Sequence, residues 1–194
     1  MVQLRIIEKY AKENSIPIME PDGIEFLVNY IKEHKITKIL EIGSAIGYSA
    51  IKMALVRDNI EVTTIERDND RYLEAIKNIK DFKLENRINI IKDDAFNVEL
   101  NDKYDLIFID AAKSQYIKFF LKFKENLNEN GVIISDNLNF HGLVNGDYDS
   151  YSRNVKGLVR KLKKYIEFLK ENEEFETEFL NVGDGIAITC RKNV

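Results

Sequence analysis

Tryptophan is absent from this chain, cysteine occurs once, and histidine and proline occur twice each. A single cysteine, Cys190, excludes a disulfide framework. Neither His34 nor His141 has a partner at metal-ligand spacing, which disfavours a zinc site. Also missing is any run of about 18 apolar residues, so no membrane-spanning helix is expected. The opening MVQLRIIEKYAKEN is amphipathic and of mixed charge, unlike a secretory signal, and a cytoplasmic protein is expected. There is no excess of positive charge: a net charge of −4 and a pI near 5.4 argue against a generally basic nucleic-acid binder, DNA included. What is there, 194 residues of which 44% are hydrophobic, suffices for one domain over residues 1–194 with a full core.

Along the chain, short apolar runs alternate with helical periodicity. Leu4, Ile7 and Ala11 mark an amphipathic helix ending near Asn14, and Pro17 keeps the next few residues out of helix. Pro21 then opens a second helix through Ile24, Leu27, Val28 and Ile31. Strands are expected near 36–42, 60–65, 88–91, 104–109 and 132–135, with helices over 48–56, 71–82 and 116–127 between them. This is the βαβ pattern of a parallel sheet with helices on both faces. Residues 140–151 read as a loop, Val155 to Leu169 as a long helix, and 175–180 with 186–190 as an antiparallel hairpin closed by Val182-Gly183-Asp184-Gly185. No repeat or low-complexity linker interrupts the series.

The stretch ITKILEIGSAIGYSAI, residues 36–51, carries the first functional signal. A buried strand runs into a turn bracketed by Gly43 and Gly47 and then into a helix, presenting free backbone N–H groups and a positive dipole end. Glycine there lets a ligand approach the backbone closely. The spacing is Gly-x-x-x-Gly, not the Gly-x-Gly-x-x-Gly of dinucleotide binders. Glu41 at the end of the first strand would repel a pyrophosphate, and Glu66 at the end of the second can take both ribose hydroxyls. The pair suits S-adenosylmethionine, which joins an amino acid, a sulfonium and an adenosine. The plain alternative is an ordinary βα turn with two solvated acids.

In an open α/β sheet, ligands bind beyond the carboxyl ends of the strands. Those ends carry Glu41, Glu66, Asp93-Asp94-Ala95, Asp110 and Asp136-Asn137. If the strands ending at Asp110 and Asp136 are neighbours, Asp110, Asp136 and Asn137 offer two carboxylates and an amide oxygen to one point. Hard oxygens in that arrangement suit Mg²⁺, or Mn²⁺ in its place. Lys113 stands at the mouth of the same cleft, either as a surface lysine at a helix start or as a proton acceptor and electrostatic partner beside the metal. His141, in the adjoining loop, is either a substrate contact or a bystander, and His34 reads as a surface residue near a helix end.

Four segments, LEIGSAIGYSA (40–50), TIERD (64–68), FIDAAK (108–113) and SDNLNFHGLV (135–144), resemble the metal-dependent O-methyltransferases of the catechol and caffeoyl-CoA type. The resemblance continues through VGDGIAI (182–188) and so covers nearly the whole chain. Short length, IPIM (16–19) and a basic final helix make it most similar to the bacterial tRNA 5-hydroxyuridine methyltransferases. The resemblance implies an α/β, Rossmann-like class I methyltransferase: a mostly parallel seven-stranded sheet with a C-terminal antiparallel hairpin, its cleft covered by helices within residues 1–35, and often dimeric. It implies that Glu41, Gly43, Ser44, Tyr48 and Ser49 hold the methionine end of S-adenosylmethionine, with Met19 closing over it. Glu66 would bind the ribose, Asp94 and Ala95 would meet the adenine, and Asp110, near the cofactor, would share the metal with Asp136 and Asn137. Lys113 matches the lysine assigned as base in catechol enzymes. One departure is that Ala111 and Ala112 are small where catechol enzymes carry bulky residues.

Catechol and 5-hydroxyuridine both present vicinal oxygens that chelate a metal, so these motifs do not choose between them. The last helix separates them. Arg153, Lys156, Arg160, Lys161, Lys163 and Lys164 are followed by no acid until Glu167, and by helical spacing Lys156, Arg160, Lys163 and Lys164 lie roughly opposite the apolar stripe. Such a face is either a solvated lysine-rich surface or a phosphate-binding rim for RNA. On the second reading a flipped wobble base of a tRNA anticodon loop enters the cleft, with Tyr148 and Tyr151 available for stacking. The expected activity is therefore formation of 5-methoxyuridine in tRNA. The alternatives are a small-molecule catechol or phenylpropanoid O-methyltransferase and, in another class, a non-catalytic RNA-binding module.

Overall fold

The computed structural model describes residues 2–139, 141–144, 146 and 150–192. Among these, seven strands form one sheet: β1 (Lys38–Ile42), β2 (Glu61–Glu66), β3 (Ile88–Lys92), β4 (Tyr104–Ile109), β5 (Leu127–Ser135), β6 (Phe175–Leu180) and β7 (Ile186–Arg191). Their spatial order is β3-β2-β1-β4-β5-β7-β6, and β7 runs opposite to the other six, pairing antiparallel with both β5 and β6. Six helices accompany them: α1 (Val2–Glu13), α2 (Pro21–Glu33), α3 (Tyr48–Ala54), α4 (Asn69–Asp81), α5 (Tyr116–Phe123) and α6 (Arg153–Lys170). This is the α/β class I methyltransferase architecture that the motifs imply. No helix among the described residues is long and apolar enough to cross a membrane.

The central strands are apolar on both faces because both faces are covered. Ile39, Phe108 and Ile134 pack into one core layer with α1 to α4, while Leu40, Ile107 and Ile133 pack into the other with α5 and α6. Each such fully buried side chain contributes roughly 1.5–3 kcal/mol. Caps move some boundaries from where apolar periodicity puts them. Asp68 accepts from the N–H groups of Asp70 and Arg71, so α4 begins at Asn69; Ser152 caps α6, which begins at Arg153.

Residues 116–127 are not one helix. The chain leaves α5 at Phe123, passes through a 3-10 turn at Lys124–Asn126, and enters β5 at Leu127. Phe119, Phe120, Phe123 and Leu127 share a helical period, which hides the change. Asn126 stops the helix by donating its amide to the carbonyls of Leu100 and Asp102, both at 2.9 Å, and Leu127 pairs with Tyr104 of β4. The described part of 140–151 contains neither helix nor strand, as expected, and Tyr148 lies outside the described residues.

Register positions the site. Ile42 is the partner of both Ile65 and Ile109, and Ile109 is the partner of Ser135. Gly43, Asp110 and Asp136 therefore leave the sheet level with one another, on strands about 5 Å apart. Between β1 and β4 the strand order reverses, which opens a crevice there. Gly43 is confined at this point: its φ is +95°, and a Cβ would lie 2.4 Å from the carbonyl oxygen of Asp110. Gly157, in the middle of α6, would place a Cβ in open space. Urea unfolding should accordingly show Gly43→Ala losing about 2 kcal/mol or more and Gly157→Ala gaining up to about 1 kcal/mol.

Candidate active site

A cavity of about 410 Å³ fills the crevice, within the roughly 300–1,000 Å³ range of small-molecule sites. Every strand end beside the crevice contributes to its wall. Met19 comes from the α1–α2 connection, Gly43 and Ser44 from the turn after β1, Tyr48 and Ser49 from the first turn of α3, Glu66 from β2, Asp94 and Ala95 from beyond β3. Asp110, Ala111, Ala112 and Lys113 follow β4, and Asn137 follows β5.

Glu41 stands one layer behind this wall. It is wholly buried in β1 beside its register partner Thr64; Ser49 Oγ donates to one carboxylate oxygen and Thr64 Oγ1 to the other, each at 2.5 Å. Burial pushes its carboxyl up to about 7 against those two donors, with the charges of Asp110 and Glu66 adding to the rise. Glu66 is held by backbone alone, accepting from Ala45 N–H at 2.9 Å and Asp68 N–H at 2.8 Å. Each oxygen keeps capacity for a ligand hydroxyl. Ser44 Oγ is buried in the wall without a hydrogen-bond partner. Tyr48 donates to Glu8 of α1 at 2.8 Å and so ties the N-terminal helix over α3. Met19 is buried against Gly23. Asp94 accepts from Phe96 N–H and pairs with Arg67 at 3.4 Å.

Beyond β4 and β5 the charge is less evenly met. Asp136 is 3% exposed; its Oδ2 accepts from Asn137 Nδ2 at 2.7 Å, while its Oδ1 is buried with no hydrogen-bond partner. Burial and the neighbouring Asp110 push its carboxyl up to about 7. Asp110 is also raised by burial, a rise that Lys113 opposes. Lys113 Nζ donates to Asn137 Oδ1 at 2.8 Å, and Asn137 itself adopts a left-handed φ of +63°. Tyr116, from α5, donates its hydroxyl to the Asp136 carbonyl at 3.0 Å. Two raised carboxyls, one orphaned buried oxygen and an amide oxygen already facing a cation make a donor set that fits a divalent cation. Among the described residues no trio of His, Cys, Asp and Glu is arranged for a metal; here the third donor is an amide.

The basic helix α6 packs against the 3-10 turn Lys113–Gln115 at the cavity mouth. Val159, Leu162, Tyr165 and Leu169 face inward. Arg153, Arg160, Lys161 and Lys164 are exposed, whereas Lys156 and Lys163 are half-buried, so the exposed basic face is narrower than helical spacing places it. Tyr165 shares a 2.7 Å hydrogen bond with Ser135, the residue before Asp136. His34 is exposed and stacks on Tyr30 with ring centroids 3.8 Å apart. His141 lies 3.9 Å from Glu20 and 3.7 Å from Asp184.

Sequence reasoning passes over several neighbours of the site. Phe96 and Phe119 stack at 4.8 Å and line the cavity together with Arg67 and Arg71. The one available signal is an aromatic directly after Asp93-Asp94-Ala95. Asp184 also escapes notice, because a Gly-Asp-Gly turn is explained by its hairpin.

A family model described as O-methyltransferase matches residues 1–193. A caffeoyl-CoA O-methyltransferase of Populus kitakamiensis is 28% identical over 194 residues, covering 95% of this chain and 82% of its own length. A flavonoid 3',5'-methyltransferase of Vitis vinifera is 28% identical over 196 residues, covering 95% and 81%. Among solved structures, a Staphylococcus aureus protein grouped by name with the caffeoyl-CoA O-methyltransferases superposes with a TM-score of 0.91 at 37% identity, covering 97% of this chain and 92% of that one. A Podospora anserina methyltransferase with SAH bound gives 0.78 at 27%, covering 88% and 78%.

The burial of Glu41 has a consequence for stability. With a folded pKa near 7 and an ordinary value of 4.5 when unfolded, the native state binds more protons between those limits. Stability is therefore lost as pH rises from about 4.5 to about 7. Glu41→Gln should unfold with a shallower loss over that window, gaining roughly 2–3 kcal/mol on wild type at pH 8 and little at pH 4. Chemical denaturation at both pH values measures this.

Proposed function

The chain belongs to the O-methyltransferase family, and on that footing we propose that it moves the methyl group of S-adenosylmethionine, with a divalent cation bound, to the 5-hydroxyl of 5-hydroxyuridine in a tRNA anticodon loop. The methyl donor is supported by the cavity, by Glu66 with acceptor capacity beside the glycine turn, and by the unpartnered Ser44 hydroxyl. It is also supported by the SAH bound in the Podospora relative. Asp110, Asp136 and Asn137 would hold the cation, and Mg²⁺ or Mn²⁺ bound there would supply the charge that makes a chelating hydroxyl more acidic.

The chain's own residues do the rest. Gly43 admits the donor close to the backbone, and Met19 covers it from the α1–α2 connection. Lys113 Nζ, 2.8 Å from Asn137 Oδ1, is within reach of an oxygen bound beside Asn137; as an ammonium it would stabilise the negative charge developing there, and it would take the proton only after giving up one of its own to solvent. Ala111 and Ala112 leave the mouth wide next to Lys113, as a nucleobase needs.

The observation that carries the RNA reading is α6. Its N-terminal half is basic, has no acid before Glu167, and adjoins the turn bearing Lys113. Phosphates bound along Arg153, Arg160 and Lys164 would hand a loop base to the cavity. A small catechol-bearing substrate is the second reading, favoured by the activities for which the plant relatives are named.

Methyl transfer to hydroxylated tRNA and to small catechols, assayed side by side, separates the two. We expect tRNA turnover that falls with salt and drops at least about tenfold in Arg153→Glu/Arg160→Glu/Lys164→Glu, with SAH affinity within about twofold of wild type. Catechol turnover alone, unaffected by charge reversal, would overturn the RNA reading.

A further inference from the structure

Asn137 sits where backbone strain and chemistry meet. It holds a left-handed φ of +63°, and its amide oxygen is one of the three donors proposed for the cation. On its upstream side the chain is fixed by the sheet, with Asp136 N–H donating to the Ile109 carbonyl at 3.2 Å. Downstream the sheet has ended, and something else must hold the chain in place.

That support is the turn at 182–185. Leu138 N–H donates to the Gly185 carbonyl at 2.9 Å, and Asn139 N–H to the Asp184 carbonyl at 2.7 Å. His141 N–H donates to Asp184 Oδ1. Three of the N–H groups that follow Asn137 thus end on two residues of one turn. The approach is close enough to require glycine: at Gly185, φ +87°, a Cβ would lie 2.9 Å from the Asn139 nitrogen.

Asp184 is an unusual residue for such a post. Its side chain is 5% exposed, and its Oδ2 has no hydrogen bond and faces the His141 ring at 3.7 Å. Burying a carboxylate costs several kcal/mol unless the charge is used, and a hairpin turn alone does not need one.

We propose, on the reading of Asp110, Asp136 and Asn137 as cation ligands, that Asp184 is the positioning residue of that site: its backbone carbonyl holds Asn139 and its carboxylate holds His141, and together they set the strained backbone that aims Asn137 at the cation. Asp184 is not one of the three proposed donors and does not line the cavity. It acts on the ligands from behind, as supporting groups around metal sites do.

The test is Mn²⁺ binding, read from free-ion EPR, alongside SAH binding by calorimetry, in the full chain. Wild type should bind both. Asp184→Ala should weaken Mn²⁺ about tenfold or more. Asp184→Asn, whose amide oxygen still accepts from His141 N–H, should recover most of that loss. Gly185→Ala, which pushes on Asn139 and leaves Asp184 in place, should weaken Mn²⁺ in the same direction. All three variants should keep SAH affinity within about twofold of wild type. Mn²⁺ affinity within about twofold of wild type in Asp184→Ala or Gly185→Ala overturns the proposal, as does an Asp184→Asn variant that binds Mn²⁺ no better than Asp184→Ala. Equal loss of Mn²⁺ and SAH affinity in all three also overturns it, since a general prop for the fold would produce that. Wild type that binds SAH but no Mn²⁺ removes the cation site itself, and this proposal with it.

Discussion

Carboxylates crowded at one edge of a parallel sheet are the constraint on which the rest of this structure turns. Level strand ends put Glu41, Glu66, Asp110 and Asp136 around one crevice, where low polarity makes each charge costly. On the β1–β2 side the protein answers this by itself. Two hydroxyls meet Glu41, and two backbone N–H groups meet Glu66. On the β4–β5 side it does so only in part. Lys113 opposes the rise at Asp110, and Asn137 covers one oxygen of Asp136 while the other has no hydrogen-bond partner. The two halves of the cavity thus differ in kind: one is a wall whose carboxylates are hydrogen-bonded at both oxygens, suited to an organic donor, the other an unbalanced set suited to a cation.

The surrounding elements serve that edge. Tyr116 from α5 holds the Asp136 carbonyl, Tyr165 from α6 holds Ser135 just before it, and the two rings meet edge to face at 5.3 Å. The helix proposed to bind RNA therefore also packs behind the end of β5 that leads to Asp136. At the other end of the cavity, Tyr48 reaches Glu8, and α1 is drawn over α3 so that the following connection can carry Met19 across the crevice.

Much of this was legible in the residues because the signals were local. Apolar runs long enough for buried strands, a glycine turn after the first of them, and polar residues just past each run together locate a crevice and its lining. Glu41 shows where such reading stops. Its place at the end of β1 is visible in the sequence; its turn inward toward Thr64 depends on the register of β1 against β2, which pairs residues more than twenty positions apart. Leu127 shows a different limit, since one apolar period serves equally for the last turn of a helix and the first residue of a strand. The basic face of α6 was foreseen, but which of its cations are partly covered depends on neighbours that helical spacing does not describe. Asp184 was invisible for the simplest reason: it acts on a segment some 45 positions earlier in the chain, across a contact that only the closed sheet creates.

The central claim is that Asp110, Asp136 and Asn137 share one divalent cation beside the methyl-donor pocket. Anomalous diffraction at the manganese edge, from crystals grown with Mn²⁺ and SAH, tests it most directly. The account predicts one strong peak bonded to side-chain oxygens of all three residues, with Lys113 Nζ moved off Asn137 Oδ1. Clear density for SAH in the crevice, with no manganese peak at those oxygens, would contradict it.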